Sequence, residues 1–138
     1  MLMIDSNIWA YYFDKTTPEH NSVVTFLDPH LKDGNVAVTT TIVLEVIHYL
    51  FRRLGANIGF EKSTIFQLGQ FQVLEFTSQD FDLFLEIMSN VVHMGLGSRD
   101  AAILTCMRRE NLTKLVTHDK AFTHVKSIEV IDPIRVSS

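Results

Sequence analysis

Short apolar runs alternate with longer amphipathic stretches along this chain, and the alternation predicts an α/β fold with a mainly parallel sheet. Leu2-Met3-Ile4-Asp5 has the look of a short buried strand ending in an acid. Residues 7–13 are expected to be helical, with Asp5 or Ser6 near the cap. Pro18 opens a second helix running to about Leu31, in which Val23, Val24, Phe26, Leu27 and Leu31 keep helical spacing. Asp33-Gly34-Asn35 marks a turn, and Val36-Ala37-Val38-Thr39 a second strand. Thr41 is placed to cap a long helix over residues 42–54, which Gly55 ends, with Arg52 and Arg53 in its last turn.

The second half repeats the pattern. Residues 57–69 predict a helix weakened by Gly59, and residues 71–76 a third strand. Ser78 precedes a helix to about His93, with Phe81, Phe84, Leu85 and Met88 on one face. Ser98 is placed to cap a helix to Arg109. Leu115-Val116 is a fourth strand, residues 127–131 a fifth, and the chain from Asp132 a short frayed tail. At 138 residues, residues 1–138 are expected to form one domain.

Open parallel sheets place their sites beyond the carboxyl ends of the strands. Asp5 and Asp119 stand at such ends, and Glu45 and Asp100 lie in the opening turns of helices that start from the same side. Four carboxylates are therefore expected to converge. Each also has an ordinary structural role available. Asp5 suits a helix cap, Asp119 can cap the turn Lys120-Ala121-Phe122, and Asp100 complements a helix dipole. Glu45 is harder to account for, because its helical neighbours at three and four positions are Thr41, Ile42, His48 and Tyr49, none of them a lysine or arginine. None of the four is read as having an obvious basic partner nearby in sequence. Two carboxylates ~4 Å apart repel by roughly 4 kcal/mol at an effective dielectric of 20, so a gathered set calls for a cation. All-oxygen donors favour magnesium or manganese, and four acids can hold one or two such ions.

Composition narrows the possibilities. With 46% hydrophobic and 20% charged residues the chain resembles a soluble globular protein, and its net charge of −4 leaves polyanion binding to a local patch. The single cysteine, Cys106, excludes an internal disulfide and a cysteine zinc cage. The six histidines are scattered without zinc-ligand spacing. No apolar run approaches the ~20 residues of a membrane span, and the start does not resemble a signal peptide, so a cytoplasmic location is expected. Arg99 and Lys120 adjoin acids and are candidates for contacts with phosphates. Arg52-Arg53 and Arg108-Arg109 fit helix C-terminal charges better.

The acids and their contexts resemble the PIN-domain nucleases, especially VapC-type toxins of toxin–antitoxin pairs. The resemblance rests on Ile4-Asp5-Ser6-Asn7, Thr40-Thr41-Ile42-Val43-Leu44-Glu45, Ser98-Arg99-Asp100-Ala101-Ala102-Ile103 and Val116-Thr117-His118-Asp119-Lys120-Ala121-Phe122, in that order. It implies a three-layer α/β/α domain with a central sheet of about five strands. It implies magnesium- or manganese-dependent cleavage of RNA, with Asp5, Glu45, Asp100 and Asp119 as catalytic and metal-binding acids. Asn7 and Thr117 match positions that support those acids by hydrogen bonding. The family resemblance also implies a cognate antitoxin and a homodimer. The aromatic run Ile8-Trp9-Ala10-Tyr11-Tyr12-Phe13 offers Trp9 and Tyr12 as antitoxin contacts. A housekeeping RNA-processing nuclease and a non-catalytic RNA- or protein-binding module remain alternatives. An aspartyl phosphohydrolase of the haloacid dehalogenase type is disfavoured, because it needs a second acid where this chain has Asn7.

Overall fold

The computed structural model describes residues 1–69 and 71–134. Five parallel strands form one sheet in the order β3-β2-β1-β4-β5, namely β1 (Leu2–Ile4), β2 (Val36–Thr39), β3 (Gln72–Leu74), β4 (Lys114–Val116) and β5 (Glu129–Ile131). Among the described residues six α-helices link β1 through β4: α1 (Ser6–Phe13), α2 (His20–Lys32), α3 (Thr40–Leu54), α4 (Ala56–Ser63), α5 (Phe81–Val91) and α6 (Ser98–Arg109), while a 3-10 turn joins β4 to β5. Helix α1 packs on α2 and α3, α3 packs on α4, and α5 pairs with α6. Right-handed crossovers put the first set and the second on opposite faces of the sheet, giving the α/β/α layering. Among the described residues no helix is long and apolar enough to cross a membrane.

The three central strands carry the core. Every residue of β1 and β2 is buried, as are Leu115 and Val116 of β4. Edge strand β3 is largely exposed, which is why it is only three residues long instead of filling residues 71–76. Register aligns Ile4 with Val116, so the residues that follow them, Asp5 and Thr117, emerge side by side. The amide of Asp5 extends that ladder by donating to the Val116 carbonyl at 2.9 Å. Strand β1 lies between β2 and β4, and the chain builds the sheet outward on the β2 side before crossing back to the β4 side, so this is the switch point where open sheets build sites.

Several local expectations shift. Thr39, not Thr41, caps α3, its hydroxyl accepting from the Ile42 amide at 3.1 Å. Gly97 takes the cap position of α6, and Ser98 is its first residue. Helix α4 stops at Ser63 and continues as a 3-10 turn, Thr64–Gln67. Gly59 is there for close approach: a Cβ on it would lie 2.8 Å from the Phe51 Cα on α3. On α5 the buried residues are Ile87 and Val91, with Phe84 and Met88 half-buried, while Phe81 and Leu85 face outward. The apolar stripe is thus centred one step around the helix from the expected one, because Ile87 and Val91 complete it.

Candidate functional site

Three helix N-termini point at the carboxyl edge of the sheet, and each delivers an acid. Asp5 caps α1 and is fully buried, its Oδ1 accepting from the Ser6 amide at 2.7 Å. Asp100 is in the first turn of α6, where its Oδ2 accepts from the Gly97 amide at 3.1 Å. Glu45 comes from the second turn of α3, one turn deeper than expected. The positive ends of these helices favour carboxylates at this edge.

The three acids meet around one cation supplied by the chain itself. Arg99 Nη1 lies 3.2 Å from Asp5 Oδ1, Nε 2.9 Å from Glu45 Oε1, and Nη2 3.3 Å from Asp100 Oδ1. This corrects two expectations at once. The cluster has a basic partner, and in this conformation Arg99 faces the acids instead of a substrate phosphate. The signal was present in the sequence as the residue before Asp100, but adjacency says nothing about reach to Asp5 and Glu45, which lie far away along the chain. Lys120, the other basic candidate, is exposed.

One arginine does not satisfy three carboxylates. Glu45 Oε1 is buried and receives no hydrogen bond from the described residues, although Arg99 Nε is close, because the N–H is not aimed at it. Burial, opposed by Arg99 and reinforced by Asp5 and Asp100, pushes the Glu45 carboxyl above the ordinary glutamate range. The same three acids hold the Arg99 guanidinium above its usual value against the opposing effect of burial.

Asp119 is not among the acids that Arg99 contacts. Its Oδ1 accepts from the Ala121 amide at 3.0 Å and caps the 3-10 turn Lys120–His124. Among the described residues its link to Asp5 runs through Thr117. The Thr117 hydroxyl donates to Asp5 Oδ2 at 2.8 Å and accepts from the Asp119 amide at 3.1 Å. Asn7 braces the same loop: its amide nitrogen reaches Thr117 Oγ1 at 3.3 Å, and its Oδ1 accepts from the His118 amide at 3.3 Å. His118 turns the other way and meets Asp132 Oδ2 at 2.7 Å, which holds the start of the expected tail against the end of β4.

The donor set fits a hard dication in its chemistry. It offers three carboxylates, one with an orphaned buried oxygen, and no sulfur or imidazole. The spacing is that of a guanidinium: among the described residues no three acid, histidine or cysteine side chains are close enough together to hold an ion as they stand.

Trp9 is not a contact surface. It is fully buried, stacked on Phe13 with ring centroids 5.9 Å apart and met edge-on by Phe66 and Tyr12. A large ring on an inward face has more to gain from the core than from water. Tyr12 is half-buried and donates to Asp28 Oδ1 at 2.7 Å. Sequence reasoning passed over Asp14, a buried acid at the end of α1 that accepts from Thr16, Tyr49 and Arg53. The exposed apolar surface lies elsewhere. A groove of about 460 Å³ between α3, α4 and β3 is lined by Val43, Leu44, Ile47, Phe51, Phe60 and Val73. Leu44 in that groove is 70% exposed and adjoins Glu45.

A family model described as the PIN domain matches residues 2–128. Among solved structures the chain is similar to VapC20 of Mycobacterium tuberculosis, a sarcin-ricin-loop-cleaving toxin. There the TM-score is 0.78 at 17% identity, covering 91% of this chain and 95% of that one. VapBC2 from Rickettsia felis, bound to a promoter DNA fragment, gives 0.74 at 20% identity over 95% and 97% of the two chains. FitAcB from Neisseria gonorrhoeae gives 0.74 at 18% identity over 96% and 98%. No curated protein matches the chain in sequence. At these identities the solved structures speak for the fold, and the match along nearly the whole chain speaks for the family: this chain belongs to the PIN-domain family.

Proposed function

We propose that this chain is a metal-dependent endoribonuclease and the toxin of a toxin–antitoxin pair. The observation that carries the reading is the meeting of Asp5, Glu45 and Asp100 at the carboxyl edge of a PIN-family sheet. Magnesium or manganese held by these three acids would supply an activated water and a counter-charge for the leaving oxygen of a phosphodiester.

The rest of the chemistry belongs to the chain. The Ser6 amide and the Thr117 hydroxyl fix both oxygens of Asp5, so that its carboxylate cannot rotate away from the site. The Gly97 amide does the same for Asp100 through one oxygen. In this reading Glu45 faces the ion or its water through Oε1, which no hydrogen bond from the described residues ties down. Asp119 serves by ordering the loop after β4, on which Lys120 stands exposed for a flanking phosphate.

The antitoxin in this reading covers the groove between α3 and α4, because a segment lying on Leu44 is one residue from Glu45. A second copy of the chain uses the outward stripe of Phe81, Leu85 and Val92, which are 55%, 61% and 55% exposed. The nuclease reading is tested by incubating purified protein with mixed RNAs, with manganese or with chelator, and mapping cut ends. Cleavage at internal positions that needs the metal supports it, and intact RNA in both arms refutes it.

A further inference from the structure

We propose that Arg99 is a resident counter-cation that a metal ion must displace: it occupies the acid cluster when no ion is bound and leaves when one enters. The inference rests on the nuclease reading for the identity of the ion, and on this chain's own geometry for everything else.

The two cations require different spacings of the same oxygens. Arg99 reaches its three carboxylates at 3.2, 2.9 and 3.3 Å, each through a different nitrogen. A magnesium ion needs its oxygens at roughly 2.0–2.1 Å in near-octahedral array. The planar guanidinium stands between the acids, and no three of them, among the described residues, stand close enough to hold an ion. Collapse onto a dication requires the space the guanidinium occupies.

Arg99 is also held in a way that lets it leave. Of its three contacts only Nη1 to Asp5 Oδ1 has hydrogen-bond geometry. The contact with Glu45 leaves Oε1 orphaned. The Arg99 side chain is 30% exposed, so its long stem has a path to solvent. Without it, three converging carboxylates would repel in a half-buried site. Arg99 thus stabilises the empty site and opposes its filling, and the affinity for metal is the difference between the two cations.

The test has a readout independent of cleavage. Arg99 Nε–H is followed by nitrogen-edited NMR of the wild-type chain during titration with magnesium, its signal assigned by its loss in Arg99→Lys. In parallel, manganese binding to the wild type and to Arg99→Gln is measured by calorimetry. The expected result is that the Arg99 signal moves to the position of a solvated arginine as magnesium saturates. Arg99→Gln should then bind manganese about tenfold tighter or more, while its metal-free form melts lower. An Arg99 signal unmoved at saturation overturns displacement, as does equal or weaker manganese binding by Arg99→Gln. Should neither protein bind either ion, the nuclease reading itself fails, an outcome distinct from the first two.

Discussion

Thr117 Oγ1 donates to Asp5 Oδ2 across 2.8 Å and so locks the end of β4 to the end of β1. Both residues are buried, and the contact spans 112 positions of the sequence. The same hydroxyl receives the Asp119 amide, so a single oxygen orders the central acid and the loop beside it. Thr117→Val keeps the shape and removes the hydroxyl. The expected loss is about 1.5–3 kcal/mol, the range for a hydrogen bond to a charged group. Cleavage should fall about 10–100-fold, as for other residues that orient metal ligands. Urea unfolding and a fluorescent RNA assay check the two effects separately.

Asp14 makes stability depend on acid. Its carboxyl is lowered to about 2, first by the Thr16 hydroxyl and further by Tyr49, the Thr16 amide and Arg53, against the upward push of burial. A depressed carboxyl stabilises the fold above its unfolded value of 3.8 and loses that contribution as pH falls towards its folded value. The contribution is about 2 kcal/mol. Urea midpoints of the wild type and Asp14→Asn should therefore differ most above pH 4 and converge towards pH 2. A constant gap across that window would show that Asp14 acts through packing alone.

Gly59 sets how closely α4 lies on α3. Gly59→Ala gains helix propensity but drives a methyl to 2.8 Å from the Phe51 backbone, which cannot yield as a side-chain tip would. Overpacking of this kind costs about 1–3 kcal/mol. A lowered melting temperature is expected, and a raised one would mean that the two helices separate freely.

The α/β architecture, all five strands and the meeting of Asp5 with Glu45 and Asp100 were legible in the sequence, because they follow from apolar runs and from acids at their carboxyl ends. Arg99 was not. Its role depends on side-chain reach between α6, α3 and β1, and spacing along one helix carries no such information. Trp9 misled for a related reason: an aromatic run on a short helix does not say which rings face the core, and the packing of Phe13, Phe66 and Phe71 decides it. Glycine 59 read as a weakness in a helix, whereas its use is in the contact with Phe51.

The proposed reading gives the two exposed apolar faces different partners. Leu44→Glu puts a charge into the α3–α4 groove and should abolish antitoxin binding while leaving the oligomeric state unchanged. Leu85→Asp on α5 should do the reverse. Calorimetry with the antitoxin and sedimentation equilibrium read the two properties. An antitoxin that binds the Leu44 variant normally would move its site elsewhere.

If Asp5, Glu45 and Asp100 act as one unit, losing the charge of Asp100 alone disables all three. Asp100→Asn keeps the side-chain oxygen that accepts from Gly97, so the fold should persist, as circular dichroism would show. Manganese-dependent RNA cleavage by this variant is the measurement. A loss of about 100-fold or more is expected, in the range of removing a group that acts directly on the reaction. Cleavage at the wild-type rate by a folded Asp100→Asn protein would contradict it.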